Sequence, residues 1–274
     1  MKQFRRFIFI FFSLTFAQYS HSEELPLWEF ALGAGGLHQS HYTGTKDTRT
    51  FAFPAPFIIY RGDVFKSDDE GIRAQLSKTQ RYKLDLSLDF NLAVDSDEVE
   101  LRRGLPDIGN LLQIGPSLEI TLSKRDHNEW LLRLPVRSNF DISSDGVEQA
   151  GYTFSPNIAY LHQLSSNPTP WHIGVSLGPQ FSDSKFNNVY YGVDQQFATT
   201  NRPAYTSSGG YSGARASLTL TSKSRKRLLI VFLRYDNISG AEFDDSPLVE
   251  TDNNLAIGFI YSHYLWKSKK TTSQ

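Results

Sequence analysis

Residues 82–94, with the sequence YKLDLSLDFNLAV, constrain the fold more than any other part of this chain. Apolar side chains alternate there with polar or small ones. Because successive side chains of a strand point to opposite faces of a sheet, the segment predicts one long strand with an apolar face and a polar face. A tilted bilayer crossing needs about 9–11 residues, so the length suits a membrane strand, although a soluble sheet shows the same alternation.

The same alternation recurs along most of the chain, which is typical of a protein built from antiparallel strands. It is found at residues 28–35, 112–122, 130–137, 152–160, 171–182, 214–220 and 229–236. Pro54 and Pro56 interrupt a further aromatic-rich segment and predict irregular pairing there, because proline cannot donate to a ladder. The last segment, 254–266, is apolar on both faces, so its orientation does not follow from the sequence.

Short and long connections between these segments alternate along the chain. The short ones are 61–62, 80–81, 124–128, 165–170 and 222–226. The long ones are 38–49, 95–109, 142–150, 183–209 and 241–252, and the short segment 68–71 is the exception. Twelve strands would place the short connections at one end and the long ones at the other, as in outer-membrane barrels with short periplasmic turns and long outer loops.

Composition agrees with a membrane barrel and excludes several other classes. The mean hydropathy is −0.37 although the chain has 20 Phe, 13 Tyr and 4 Trp, as expected for an apolar outer face and a polar interior. With 28 basic and 29 acidic residues, the chain has no overall basic field for nucleic acid. It has no cysteine, which excludes disulfides and thiolate chemistry. Beyond the N-terminus no apolar run reaches the 18 residues expected of a membrane helix.

The N-terminus has the pattern of a secretion signal. Lys2, Arg5 and Arg6 precede an apolar core at 7–17, and Ser20-His21-Ser22 provides a small-x-small cleavage site. A membrane anchor is the alternative, but the apolar core is too short to span a bilayer. We therefore expect a signal peptide at 1–22 and a single barrel domain at 23–274, with a polar tail at 267–274.

The alternation assigns candidate residues to three environments. The side chains predicted to face lipid are Leu84, Leu86, Leu88, Phe90 and Leu92. The charges predicted to face the lumen are Asp85, Asp89, Glu119, Arg133, Arg137, Arg215, Arg234 and Asp236. The aromatic residues predicted at the membrane interface are Trp28, Trp130, Trp171 and Trp266. The lumen charges form either a structural salt network, which we favour, or a constriction that selects small solutes.

A secreted β-sandwich, or two in tandem, is the alternative fold. Several of the predicted strands exceed the usual length of about 5–6 residues in globular sheets, and a sandwich has no reason to sort its connections by length. We therefore predict an all-β fold: an antiparallel up-and-down transmembrane barrel of about twelve strands.

No motif of an enzyme is evident. His38, His41 and Asp47 share one long loop and could bind a metal or transfer protons, but we interpret them as solvated loop residues. Neither a G-x-S-x-G nor an H-E-x-x-H pattern occurs. A barrel-embedded hydrolase stays an open but weaker alternative. We predict that the protein is not an enzyme and has no metal or other cofactor.

Six short motifs, in a fixed order, resemble the MltA-interacting protein (MipA) and OmpV family of outer-membrane proteins. They are Tyr60-Arg61-Gly62-Asp63, Val94-Asp95-Ser96-Asp97, Arg103-Gly104-Leu105-Pro106-Asp107, Gly115-Pro116-Ser117, Tyr190-Tyr191-Gly192-Val193 and Asp245-Ser246-Pro247-Leu248-Val249. One departure is the polar tail KSKKTTSQ after Trp266, because barrels of this type commonly end on an aromatic residue.

The resemblance implies a barrel in the outer membrane of a Gram-negative bacterium. It also implies a cell-envelope scaffold that joins a lytic transglycosylase to a bifunctional penicillin-binding protein in murein metabolism. A porin-like channel for small solutes is the alternative function. Outer-membrane lipid is the remaining expected partner, and no nucleic acid is expected.

Overall fold

The computed structural model describes residues 25–61, 65–68, 71–143, 146–164, 169–224 and 226–272. The predicted signal peptide, 1–22, lies outside the described residues, and so do Gly62 and Asp63 of the first motif.

The described chain is mainly β-strand, arranged as one large antiparallel sheet and one small two-stranded sheet. The strands are β1 (Leu25–Pro26), β2 (Trp28–Ser40), β3 (Thr48–Pro54), β4 (Phe57–Arg61), β5 (Phe65–Asp68), β6 (Gly71–Lys78), β7 (Tyr82–Asn91), β8 (Asn110–Arg125), β9 (Asn128–Ser143), β10 (Gly146–Phe154), β11 (Asn157–Gln163), β12 (Trp171–Ser182), β13 (Gly210–Lys223), β14 (Arg227–Asn237), β15 (Asn253–Lys267) and β16 (Thr271–Thr272). The helices are α1 (Ser184–Tyr191) and the 3₁₀ segments Ser96–Glu98, Glu100–Arg102 and Gln195–Phe197. The predicted all-β, antiparallel class is confirmed.

Consecutive strands are neighbours in the large sheet, except that β3 and β4 both pair with β2, and β10 and β11 both pair with β9. Pairing continues from β2 through β14, and β15 pairs with β14 on one side and with β2 on the other. The β8–β9 ladder extends from Asn110–Ile142 to Arg125–Asn128, whereas the described β4–β5 ladder has only the pairs Tyr60–Ser67 and Arg61–Lys66.

Two passes of the sheet are interrupted where the chain contains proline. β3 ends at Pro54 and β4 begins at Phe57, as the sequence predicted from its prolines. Ala55 still exchanges backbone hydrogen bonds of 2.9 and 3.1 Å with Gly33, so the pass remains attached to β2. β10 and β11 are separated in the same way at 155–156. The fourteen described strands of the large sheet therefore make twelve passes.

Burial in β15 gives the orientation that the sequence left open. Leu255, Ile257 and Phe259 are 53%, 49% and 50% exposed, while the intervening Ala256 and Gly258 are buried. Two apolar faces in the sequence thus become one exposed face and one covered face.

Glycines on the covered face make room for aromatic rings. A Cβ atom at Gly258 would lie 2.4 Å from the ring of Phe232, and one at Gly35 would lie 2.5 Å from the ring of Phe53. Both distances are far shorter than a van der Waals contact, so any larger residue would displace these rings.

Two expectations about strand ends are wrong. β7 ends at Asn91 instead of Val94, because Val94 pairs with Ile108 across the following loop. Leu92, predicted to face lipid, is consequently buried in an apolar cluster with Leu37 and Phe232. The predicted long loop 142–150 is a hairpin, since β9 continues to Ser143 and β10 begins at Gly146.

The first and last described segments meet at the short-turn end of the sheet. The predicted polar tail begins as the last residue of β15, and its residues Thr271–Thr272 pair with Leu25–Pro26. The backbone N–H of Leu27 also donates to the carbonyl of Lys270 at 2.8 Å.

Candidate functional site: a capped polar interior

Opposite charges face each other across the inner side of β7, β8 and β9. Lys83 is the cross-strand partner of Glu119, and Glu119 is the partner of Arg133. Arg133 Nε donates to Glu119 Oε2 at 2.8 Å, and Lys83 Nζ lies 3.2 Å from Asp85 Oδ2. Asn157 of β11 follows as the next partner of Arg133. The register thus arranges charges of alternating sign side by side, which favours each pair.

A second charged group lies on β13 and β14. Arg215 Nε donates to Asp236 Oδ1 at 2.6 Å, and Arg234 Nε lies 2.9 Å from Asp236 Oδ2. Asp236 is buried, so its two guanidinium partners compensate for the water it loses. Arg137 Nη1 lies 3.7 Å from Asp89 Oδ2, which is a looser contact.

Both groups line a cavity of about 370 Å³. Every charge predicted to face the lumen lines it, namely Asp85, Asp89, Glu119, Arg133, Arg137, Arg215, Arg234 and Asp236. Lys83 and Arg49 line it as well, and the sequence analysis did not single them out. The alternation of residues 82–94 places Lys83 on the polar face, so the sequence could have predicted its position in the cavity. Arg49 lies at the end of a long loop, where no periodic pattern predicts which way a side chain faces.

Long loops fold together over one end of this interior, and we call this region the cap. Its buried apolar cluster contains Tyr42, Val94, Val99, Ile108, Leu111, Ala150, Tyr190, Tyr191, Ile238, Ala241 and Phe243. The rings of Tyr191 and Phe243 stack with centroids 3.6 Å apart. Tyr42, Tyr190, Tyr191 and Phe243 also line the cavity, so the cap forms its boundary at the long-loop end.

Hydrogen bonds join the loops of the cap to one another. Tyr42 Oη donates to the carbonyl of Leu248 at 2.7 Å, and Tyr191 Oη donates to the carbonyl of Thr43 at 2.8 Å. α1, which carries Tyr190 and Tyr191, begins after Asp183, whose carboxylate accepts from the backbone N–H of Phe186 at 2.9 Å.

Arg102 connects two of these loops from a buried position. Its Nη1 donates to the carbonyl of Tyr190 at 2.8 Å, its Nη2 to the carbonyl of Pro106 at 3.1 Å, and its Nε to Ser96 Oγ at 3.2 Å. The guanidinium also lies 5.9 Å from the ring centroid of Tyr42. Nothing in the sequence distinguished Arg102 from other loop arginines.

Burial perturbs the titratable groups of the cap. It raises the pKa of Tyr190 to about 12 and raises the pKa of Tyr191 well above its usual value. It also lowers the pKa of Arg102. The phenols therefore stay neutral at physiological pH and serve as packing and hydrogen-bonding groups.

Three of the motifs that carry the family resemblance meet in the cap. Leu105, Val193 and Leu248 come from three different motifs and form one buried cluster. Val94, from a fourth motif, is fully buried in the neighbouring cluster. Asp107 Oδ1 accepts from the backbone N–H of Ser96 at 2.8 Å, so its partner lies in the motif segment that starts at Val94. The ordered motifs therefore describe how the loops pack.

The opposite end of the sheet, where the short turns lie, has a different surface. All four predicted interface aromatics lie there, and Trp28, Trp130 and Trp266 are exposed while Trp171 is half-buried. The exposed cations among its described residues are Lys78, Arg81, Lys124, Arg125, Lys226, Arg227, Lys267, Lys269 and Lys270. We call these cations the basic rim. Among the described residues of the same turns, Asp126 is the exposed acid.

The cap, in contrast, is acidic on its outside. Its exposed acids are Asp95, Asp97, Glu98, Glu100, Asp107, Asp194, Glu242, Asp244, Asp245, Glu250 and Asp252. The nearly balanced net charge of −1 therefore conceals a molecule with one acidic end and one basic end.

The residues considered for a metal site do not converge. His38 Nδ1 is 2.7 Å from Thr50 Oγ1, and Asp47 Oδ2 accepts from the backbone N–H of Glu100. His41 is buried. Within the described residues, no three His, Cys, Asp or Glu side chains are placed to share a metal ion. No helix among them has the length and apolar character needed to cross a membrane.

The predicted lipid-facing side chains behave unequally. Leu84 and Leu86 are partly exposed on β7. Leu88, Phe90 and Leu92, farther along the same segment, also border the cavity, and Phe90 packs against the buried cluster that contains Leu92.

Comparison with known proteins places the chain in a family. Residues 32–264 match the profile described as MltA-interacting protein MipA, so the resemblance suggested by the motifs is confirmed. No curated protein matches the chain significantly.

Several solved structures of bacterial proteins are distantly similar. They are the toluene transporter TodX of Pseudomonas putida (10% identity, 86% of this chain, 89% of that chain, TM-score 0.35), a FadL homologue of Pseudomonas aeruginosa (6%, 88%, 89%, 0.31) and the outer membrane protein OprG of Pseudomonas aeruginosa (9%, 88%, 95%, 0.23). These similarities are too low to assign a function. The profile match covers most of the chain, which therefore belongs to the MltA-interacting protein MipA family.

Proposed function

We propose that the large sheet is a twelve-stranded barrel in the outer membrane. The pairing of β15 with β2 supports this, because it makes the last and first long strands neighbours. A row of apolar side chains on the exposed face supports it too: Val175, Leu218, Leu233 and Ile257 are successive cross-strand partners. Such a face suits lipid, and the aromatic residues at the short-turn end suit a membrane interface.

We propose further that the barrel acts as a scaffold for enzymes of murein metabolism and has no catalytic role itself. Membership of a family described as MltA-interacting carries this proposal. The cap supports it, because loops packed over one end of the interior obstruct the free passage of solutes and are not expected of a simple channel. A lytic transglycosylase and a bifunctional penicillin-binding protein are the proposed partners.

The basic rim is the proposed contact surface for these enzymes. In the outer membrane, short turns face the periplasm, where murein enzymes act. The turns offer little area for shape recognition, so nine exposed cations provide the main means of attraction, to an acidic face of the partner.

Retention of partners by immobilised protein tests the scaffold. We expect the full chain to retain a lytic transglycosylase or a penicillin-binding protein from detergent-solubilised envelope. The double variant Lys226→Gln/Arg227→Gln should retain less, while Lys46→Gln/Lys185→Gln, which removes two exposed cations from the long-loop end, should match the unmodified chain. Retention no better than that of an unrelated barrel would contradict the proposal.

A channel for small solutes is the second candidate, and the charge-lined cavity favours it. In planar bilayers, a channel should give discrete conductance steps that Arg133→Ala or Asp89→Ala alters. Silence at high protein loading would exclude this candidate and leave the scaffold untouched.

A further inference from the structure

The cavity has more cations than anions among the described residues that line it. The cations are Arg49, Lys83, Arg133, Arg137, Arg215 and Arg234, and the anions are Asp85, Asp89, Glu119 and Asp236. Each of these carboxylates already contacts at least one of the cations. Six cations against four carboxylates leave a positive surplus among these described residues.

The surplus is concentrated around Asp89 and Asp236. Arg215 and Arg234 share Asp236, and the charge of Asp89 acts on both of them as well as on Arg137. Three guanidinium groups of the cavity wall thus share two carboxylates. Since the Arg137–Asp89 contact is 3.7 Å long, it leaves room for another acceptor.

Unused donors border the same cavity. In the described part of the chain, Nη2 of Arg133 and the hydroxyl of Thr153 are buried and have no hydrogen-bond partner. Both residues line the cavity. A buried donor without a partner costs free energy, so a ligand that accepts hydrogen bonds would gain by meeting it.

We propose that the cavity binds a small oxyanion, a phosphate or a carboxylate, between Arg137, Arg215 and Arg234. Guanidinium groups match the geometry of these ligands with paired, charge-assisted hydrogen bonds. A cavity of about 370 Å³ lies at the lower end of the size range of small-molecule sites. The proposal of this binding site depends on neither the scaffold function nor the channel function.

Calorimetric titration of the full chain in detergent tests the site. Inorganic phosphate and succinate are the two probes, and chloride holds the ionic strength constant. Arg234→Gln should weaken binding about tenfold, which corresponds to about 1.4 kcal/mol. Asp89→Asn should strengthen it, because removal of a carboxylate increases the positive surplus. Lys46→Gln, which removes an exposed cation that does not line the cavity, is the control and should leave the binding of both probes unchanged.

The outcomes separate clearly. Binding of either probe supports the site if it is weaker in Arg234→Gln and stronger in Asp89→Asn than in the unmodified chain. The probe that binds identifies the ligand as phosphate-like or carboxylate-like. Absence of heat with both probes would overturn the proposal, as would equal losses of binding in Arg234→Gln and Lys46→Gln. If Arg234→Gln does not fold, unchanged or weaker binding by Asp89→Asn is sufficient to reject the proposed oxyanion site. Retention of murein enzymes is measured separately and does not depend on this result.

Discussion

The two ends of the sheet differ in how the strands are connected and in how far their large side chains are buried. At the long-loop end, Tyr190 and Tyr191 are buried in a cap that hydrogen bonds and stacked rings hold together. At the short-turn end, tight turns leave large side chains such as Trp266 exposed, 63% in its case. The first end therefore has a core of its own, whereas the second relies on its surroundings. The difference indicates that cap substitutions act on protein packing and turn substitutions act on contacts with lipid or partners.

The largest effect expected is that of Tyr191→Ala in the cap. Removal of a buried aromatic side chain typically costs about 3–5 kcal/mol, and here the stacking with Phe243 is lost as well. Urea unfolding in detergent measures the change. Trp266→Ala is the matched control at the other end, and it should change stability little. Equal losses in both variants would remove the contrast between the ends.

Substitutions on the exposed face compare the free-energy cost of a charge at the middle of the sheet with its cost at the short-turn end. Leu218→Arg should cost about 2–4 kcal/mol if the residue faces the centre of a bilayer, and Leu164→Arg, beside a short turn, should cost about 0–1 kcal/mol. Folding into lipid vesicles is the measurement. Indifference of the protein to Leu218→Arg would show that this face does not meet lipid.

A smaller effect is expected from Arg102→Met, which removes the buried connection between loops of the cap. Acceptors left without a donor cost about 1–3 kcal/mol, and the carbonyls of Tyr190 and Pro106 would lose theirs. Thermal denaturation should show the loss. Arg103→Met changes the exposed neighbour and should leave the melting temperature unchanged; a matching fall there would refute the role of Arg102.

The smallest expected effect is a pH dependence of the cap through His41. Burial, followed by the charge of Arg49, lowers the pKa of His41 from 6.5, although Glu98, Asp47 and Asp95 oppose this. The neutral ring is therefore favoured in the folded state. The cap should be most stable above pH 6.5 and lose stability as the pH falls below that value, because only the unfolded chain then takes up the proton readily.

Hydrogen exchange of the cap at pH 7.5 and 5.5 measures this dependence. His41→Gln should flatten the difference, whereas His127→Gln, in an exposed turn at the other end, should preserve it. Because intrinsic amide exchange is base-catalysed, the comparison uses protection factors, and a lower protection factor at the higher pH would give the opposite sign and contradict the argument.

Particular residues show how far sequence patterns reach in this protein. Alternation in 82–94 predicted β7 and placed Asp85 and Asp89 on a polar face, because the two-residue period of a strand is a local property. It failed at Leu92, where a contact between Val94 and Ile108 ends the strand. That contact joins residues on either side of a loop, so no local period contains it.

By itself, the sequence determined the all-β class, the polar and apolar faces of most strands, most of the short and long connections, with 142–150 as an exception, and the family. Each of these follows from periodicity, chain length or short motifs, which are local. Only the tertiary structure decided the register that joins Arg215 to Asp236, the orientation of β15 and the packing of the loops into a cap. The register, the orientation of β15 and the packing of the cap depend on contacts between residues that are distant in the sequence. Such contacts are determined by the packing of the whole sheet and not by any local pattern.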